Sequence, residues 1–364
     1  MTAYIRSIAS AFPDHGVTLD EAIAYAKMLS CHSESQASKV GKLYQRTGVE
    51  NRGSVLLTHD GQSLNQDFYR QPIDCDDTGP GTQDRLDRFA VEAPRLAIQS
   101  SQQALKQAGC EANQITHVVT VTCTGFAAPG FDIALIKGLG LSPETQRVAV
   151  GFMGCHALIN ALRVAEGLVH ADPDAMVLIS SVELCSLHYQ TGYDSQRIVS
   201  GAIFADGAAS VLVSGASDES EPTTLPQIAR TGSCLIPDSE DAMTWRIGNT
   251  GFQMTLAASV PGIIEEQLAD FLLPWLQRMG LSPSEIGGWA VHPGGVRIVQ
   301  AVGNALALDE SQLAISLSVL RDHGNMSSAT LGEVLRRFQE QSVPRPWLML
   351  GFGPGLETEV ACLR

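Results

Sequence analysis

The chain has 364 residues, 44% hydrophobic and 17% charged, which is enough apolar material for a large core and enough length for two domains or two fused halves. A net charge of −15 and a pI near 5.0 exclude general nucleic-acid or anionic-membrane binding as the main activity. No run approaches the length of a membrane span, no N-terminal signal pattern is present, and the eight cysteines are scattered without a CxxC pair, so the pattern reads as a reduced, cytoplasmic protein.

Residues 4–12 predict a first strand, stopped by Pro13. Thr18, with Glu21 three positions on, has the form of a reciprocal helix cap, and a helix follows to about Leu29. A second helical pattern over 35–46 carries Lys39, Lys42 and Arg46, whose spacings of three and four put them on one face. Such a stripe is usually a solvated surface, although in an acidic chain it is a local exception. Residues 59–81 are polar and rich in Asp, Gln, Gly and Pro, the pattern of a loop. Residues 85–107 read as a helix and 118–124 as a buried β-branched strand, closed by the turn Gly125-Phe126-Ala127-Ala128-Pro129-Gly130. A short helix over 133–139 and a strand over 148–152 come next, then a small-residue helix, a strand over 175–182 and another over 210–213. Residues 215–226 are the clearest linker and divide the chain into halves 1–214 and 227–364. The second half repeats the style. A helix over 262–278 is interrupted or kinked near Pro274; a strand over 288–291 ends at His292; a helix covers 296–306, a turn 320–328, a helix 329–341 and a strand 346–352. Strands alternating with helices in both halves indicate an α/β architecture.

The chemistry centres on Cys155, on the step where strand 148–152 gives way to a helix pattern with Ala157, Ala161 and Ala165 four apart. A helix N-terminus offers free N–H groups and partial positive charge, which lower a thiol pKa, and the thiolate is the nucleophile. Taken alone, a free cysteine is more often an inert core residue. His292 and Asn325 alter that balance, because each also sits at a strand or turn end among small residues, and such ends face a crevice in α/β folds. Histidine is the usual partner that makes a cysteine nucleophilic, and an Asn amide can donate to an oxyanion. The trio suffices for acyl transfer. Spacing does not select the class, since the Cys155–His292 separation is also close to that of papain-like cysteine hydrolases, although their Cys-Gly-Ser/Ala-Cys setting is absent. His292 and His323 lack close partners at ligand spacing, so no metal site is expected.

Five segments together resemble the type III polyketide synthases, the chalcone-synthase-like family. They are Gly154-Cys155, Ile203-Phe204-Ala205-Asp206-Gly207-Ala208-Ala209, His292-Pro293-Gly294-Gly295, Gly324-Asn325-Met326-Ser327-Ser328 and Gly351-Phe352-Gly353-Pro354-Gly355. Each is weak singly; in this order they are specific and span nearly the whole chain. The last two separate the family from the ketoacyl-carrier-protein synthases. Cys123-Thr124-Gly125-Phe126 and Ser186-Leu187-His188-Tyr189-Gln190 are similar to its bacterial branch.

The resemblance implies a thiolase-like fold, two similar α/β halves in a layered αβαβα arrangement with the site between them. It also implies a homodimer, no metal or organic cofactor, and acyl-CoA and malonyl-CoA as substrates. It makes Cys155 the acyl acceptor, its thiolate paired with a His292 imidazolium, and His292 with Asn325 the pocket for the thioester oxygen. It makes Phe204 and Phe252 gatekeeper aromatics, and Lys39, Lys42 and Arg46 the cations for coenzyme A phosphates. Thr124, His188, Met243 and Ser327 are further candidate substrate-binding residues. The expected reaction loads an acyl starter, extends it by decarboxylative condensation and cyclises it to an alkylpyrone or alkylresorcinol. A ketoacyl-carrier-protein synthase III-like enzyme and a papain-like hydrolase are the alternatives. The chain departs from the pattern in three places: His156-Ala157 follows the nucleophile, Ala128 precedes the loop proline where many plant members carry Met, and Met243 stands where they often have Gly.

Overall fold

The computed structural model describes residues 2–60, 63–73, 77–215 and 224–364. In chain order the first half comprises β1 (Ala3–Ala11), β2 (Gly16–Thr18), α1 (Leu19–Ser30), α2 (Glu34–Gln45), β3 (Asn51–Gly53), β4 (Thr58–Asp60), β5 (Ser63–Asn65), α3 (Thr82–Ala108), β6 (His117–Thr122), α4 (Phe131–Leu139), β7 (Gln146–Gly151), α5 (Ala157–Ala171), β8 (Met176–Leu184), α6 (Ser195–Ile203) and β9 (Asp206–Gly215). The second comprises β10 (Ile228–Leu235), β11 (Met243–Gly248), β12 (Gly251–Leu256), α7 (Val260–Gln277), β13 (Gly288–Val291), α8 (Val296–Leu306), α9 (Glu310–His323), α10 (Thr330–Glu340), β14 (Trp347–Gly353) and β15 (Glu357–Leu363).

Local chemistry fixes several of these boundaries. The Thr18 hydroxyl accepts from the Glu21 N–H, and the Glu21 carboxylate accepts from the Thr18 N–H at 2.8 Å, which starts α1 with two orphan donors satisfied. β8 and β9 alternate with period two. Val177 and Ile179, then Ala209, Val211 and Val213, face one core, whereas Leu178, Val182, Ala208 and Leu212 face another. β14 and β15 do the same, with Met349 and Ala361 on one side and Leu348, Leu350, Val360 and Cys362 on the other.

Two sheets result. The first runs β1-β9-β8-β6-β7, with β6 parallel to β7 and β8 and with β9 antiparallel to its neighbours. The second runs β10-β15-β14-β13, with β13 parallel to β14 and β15 antiparallel to its neighbours. Each half thus places its first strand beside its last and the parallel strands beyond, and β7 is the extra edge strand. The cores give the layers. α3 and α4 cover the outer face of the first sheet, α5 and α10 lie between the sheets, and α7 and α8 cover the outer face of the second. Leu158, Ile159 and Leu162 of α5 are fully buried there, each contributing about 1.5–3 kcal/mol of apolar burial. This is the thiolase-like αβαβα arrangement.

The turn expected over 320–328 starts at Gly324, because Leu320 to His323 complete α9. The helix expected to be interrupted or kinked near Pro274 is not interrupted: it runs from Val260 to Gln277, with Pro274 near its C-terminal end. The polar stretch 59–81 contains part of a small β4–β5 pair, and residues 61–62 and 74–76 lie outside the described residues. Most of the expected linker 215–226 also lies outside them, at 216–223. β10, the β11–β12 hairpin, α9 and β15 are elements that the sequence reading did not assign.

Candidate active site

Cys155 lies between the end of β7 and the start of α5. The chain reaches it through two left-handed residues, Phe152 with φ 60° and Gly154 with φ 83°. The non-glycine Phe152 is strained there, and a side chain at position 154 would collide with Pro354, so only glycine fits the step before the nucleophile. α5 then begins at Ala157, two residues after Cys155.

The three candidate catalytic side chains converge. Cys155, His292 and Asn325 line one small compartment together with Phe204, Met243, Gly294 and Ile298. The side chains of Ser327 and Asn325 stand near enough to the Cys155 thiol to favour its charged form. The Asn325 Oδ1 accepts from the Ser327 backbone N–H at 2.8 Å, which turns the Asn325 Nδ2 donor toward the cavity. Ser327 is held at φ 48° to close that turn. His292, only 2% exposed, has no hydrogen-bond partner on either ring nitrogen among the described residues, which leaves the ring free to bond what the compartment will hold. Its backbone N–H is fixed on Leu350 O at 2.7 Å.

Burial sets the charge state. It pushes the Cys155 thiol up to about 12, with the nearby Glu183 carboxylate adding to the effect, and the imidazole of His292 down to about 3. Both shifts favour the neutral thiol and the neutral imidazole over the thiolate–imidazolium pair expected from the sequence. Desolvation outweighs the pull of Ser327 and Asn325 toward the thiolate.

The compartment opens into a larger cavity that also touches Cys155, Phe204 and Met243. Val17, Ala22, Ala26, Leu29, Leu56 and Leu57 supply an apolar part of its wall.

Comparison with known proteins decides the family. Residues 2–218 match the N-terminal domain of chalcone and stilbene synthases, and 227–364 the C-terminal domain. The chain is 32% identical over 363 residues to the alpha-pyrone synthesis polyketide synthase-like Pks18 of Mycobacterium tuberculosis, covering 98% of this chain and 90% of that one. It is 36% identical over 272 residues to the 1,3,6,8-tetrahydroxynaphthalene synthase of Streptomyces peucetius, covering 74% and 72% of the two chains. The crystal structure of PKS-I from the brown alga Ectocarpus siliculosus superposes with a TM-score of 0.92 at 31% identity, covering 100% of this chain and 98% of that one.

The chain belongs to the chalcone and stilbene synthases. It is a type III polyketide synthase, an acyltransferase by reaction class.

In this polyketide synthase the remaining candidates fall into three groups. Phe204 lines both compartments, and its neighbours tie it to Asn325 through Asn325 N–H to Ile203 O and Ala205 N–H to Asn325 O, both 2.9 Å. Phe252 and Met243 are buried wall residues of the larger cavity. His188 also lines it but is locked: its Nδ1 accepts from the Phe252 N–H at 3.0 Å and its Nε2 donates to Thr124 O at 2.7 Å, and burial holds it neutral with a pKa of about 4. Its ring stacks on Phe252 at 4.2 Å, so it is a platform and not a base. Thr124 lines the cavity, but its hydroxyl donates to Glu183 at 2.8 Å. Lys39, Lys42 and Arg46 do not line the cavity; they are exposed, the two lysines on α2 and Arg46 at its C-cap, while Tyr44 of α2 lines the cavity.

Several site residues went unassigned in the sequence. Trp245 lines the cavity, donates to Cys123 O at 2.7 Å and meets the ring of Phe252 edge-on at 5.8 Å. Two-residue hairpin chemistry around Gly248-Asn249-Thr250-Gly251 was the available signal. Cys123 and Cys185 also line the cavity, and burial pushes both thiols well up. Of the three cysteines there, Cys155 alone borders the compartment of His292.

Proposed function

We propose that this polyketide synthase loads an aliphatic acyl group from coenzyme A onto Cys155, extends it with malonyl-CoA and cyclises the product to an alkylpyrone or alkylresorcinol. One observation carries the reading: Cys155, Phe204 and Met243 line both the small compartment that holds His292 and Asn325 and the larger apolar cavity. Chemistry and chain storage therefore meet at one sulfur.

In loading, Cys155 sulfur attacks the thioester carbonyl while its proton passes to His292, and coenzyme A leaves as the thiol with that proton. In extension, the malonyl carboxylate leaves as carbon dioxide and its bonding pair becomes an enolate. His292 and Asn325 donate to the enolate oxygen. The enolate carbon attacks the acyl carbonyl and Cys155 sulfur departs, ready for the next transfer. One proton is taken up per extension. Phe204 and Phe252 exclude water from the enolate and disfavour the malonyl carboxylate over the neutral product. The chemistry is thioester exchange and decarboxylation assisted by hydrogen bonds, and calls for no metal or organic cofactor.

The apolar wall from Val17 to Leu57 supports an aliphatic starter, and the name of the mycobacterial relative supports a pyrone product. Lys39, Lys42 and Arg46 supply the cations for coenzyme A phosphates. A homodimer follows the family resemblance, and Phe126, 45% exposed with its ring against Phe152 at 4.9 Å, supports a second copy over that loop. Light scattering is expected to give twice the 38.8 kDa chain mass. Seven free cysteines among the described residues support a reducing, cytoplasmic setting.

The test is product mass spectrometry with malonyl-CoA and acyl-CoAs of graded length, with Cys155→Ala in parallel. Pyrone or resorcinol masses that vanish in the variant are the expected result. A single condensation product, made only from a malonyl carrier protein, would replace this reading with a ketoacyl synthase.

A further inference from the structure

His156, directly after the nucleophile, has no part in the reaction described above, yet it is fully buried. It fills a slot that exists because β14 carries Gly351 and Gly353 there; a side chain at either position would meet its ring or Cβ. Its Nδ1 lies 2.9 Å from Asn160 Oδ1, and Asn160 Nδ2 donates to Glu359 Oε1 at 2.8 Å. Because the Asn160 amide nitrogen must serve the carboxylate, its oxygen accepts, and His156 carries its proton on Nδ1. Arg163 closes the chain with donors to both Glu359 oxygens.

The other ring nitrogen is the anomaly. Nε2 of His156 is buried without a hydrogen-bond partner, and the Glu357 carboxylate stands 3.7 Å away. In the neutral ring this nitrogen is a lone pair facing a carboxylate. A proton there would convert repulsion into an ion pair. Glu357 is 27% exposed, so the gap opens toward solvent.

We propose that His156 is a positioning residue for the catalytic imidazole: it binds a proton against Glu357, and its charge governs how readily His292 can become charged. The inference rests on His292 receiving the Cys155 proton, as set out above. Two cations in one buried region disfavour each other, and the proximity of His156 already lowers His292. The charged and titratable groups around His156 are Glu357 and Glu359 on β15, Arg163 on α5 and His292 after β13, which shares a compartment with Cys155, the residue before His156. Burial is the strongest influence and lowers the His156 pKa; Asn160, Glu359 and Glu357 oppose it, and Arg163 adds to it. His156 is therefore neutral at pH 7 and titrates on the acid side of its ordinary range, where its charge obstructs proton transfer to His292.

The test is the pH profile of kcat/KM for condensation in His156→Gln, which keeps the donor to Asn160 and cannot be charged, and in Glu357→Gln, which removes the partner of the charged form. At about pH 5.5, both variants are expected to retain about threefold more of their neutral-pH activity than the unmodified enzyme, equivalent to half a pH unit. In the double variant, Glu357→Gln is expected to add nothing to His156→Gln. Superimposable acid limbs in all four proteins, or additive shifts in the double variant, would overturn the inference. Cys155→Ala and His292→Ala run alongside separate the two levels. If they still condense, the catalytic reading itself is wrong; if they are dead and the limbs coincide, only the role of His156 falls.

Discussion

Cys155 is buried beside one carboxylate and two hydrogen-bond donors, and its reactivity is the balance among them. Since burial pushes the thiol up to about 12, little thiolate is expected in the free enzyme at pH 7. Alkylation by iodoacetamide is expected to be slow at neutral pH and to rise without a plateau through pH 9, because the thiolate fraction grows tenfold per unit below the pKa. A plateau near pH 7 would show a preformed ion pair. Glu183→Gln removes a negative charge that disfavours the thiolate and is expected to speed alkylation at every pH in that window. Asn325→Ala removes one donor to the enolate oxygen and is expected to slow malonyl-CoA decarboxylation roughly 100-fold, while leaving slow alkylation in place. At this scale the sequence was legible where a residue type has one chemical use: Cys155, His292 and Asn325 could be selected before any coordinates, and all three line one compartment. It was not legible where burial decides. The push of burial toward the neutral forms of Cys155 and His292, and the conversion of His188 into a neutral platform by two backbone hydrogen bonds, depend on desolvation and on neighbours far away in the chain.

The elements divide the labour. α5 and its preceding turn present the nucleophile, the loops after β13 and α9 present His292 and Asn325, and the β11–β12 hairpin walls the larger cavity with Met243, Trp245, Phe252 and Met254. Met243, Trp245 and Met254 come from alternate positions of paired strands and so share a face. Trp245 fills space that a growing chain would otherwise use, and its one hydrogen bond is to a backbone carbonyl. Trp245→Ala is therefore expected to enlarge the cavity and shift products upward by at least one two-carbon extension at unchanged starter preference, read by mass spectrometry. Shorter products would mean that the wall collapses when the indole is removed. The hairpin also shows what pattern reading lacks. Its strands are short, one face is solvated and Ile247 is 60% exposed, so neither a buried run nor a clean alternation announces it. α1 was legible because Thr18 and Glu21 cap it through local chemistry alone.

The whole molecule is two repeats fused through one layer. α5 comes from the first half and α10 from the second, and the core around them joins Val119, Ile179 and Val211 of one sheet to Met349, Ala361 and Leu363 of the other. Neither sheet has its inner face covered without the helix of the other half. Melting either half would expose that shared core, and the apolar burial lost would carry the remaining half with it. The chain contains a reporter for this. Its four tryptophans, Trp245, Trp275, Trp289 and Trp347, all lie in the second half. Trp275 and Trp289 sit in the core of the second half, so tryptophan fluorescence follows mainly that half, whereas far-ultraviolet circular dichroism follows both. In urea the two signals are expected to give one midpoint and one slope, and Leu158→Ala in the central helix, about 2–5 kcal/mol destabilising, is expected to move both midpoints down together. A fluorescence transition at a distinct urea concentration, or a Leu158→Ala shift confined to the dichroism signal, would mean that the halves are separate folding units that merely touch across α5 and α10. The catalytic compartment would then assemble at an interface able to open on its own, since Cys155 belongs to one half and His292 and Asn325 to the other.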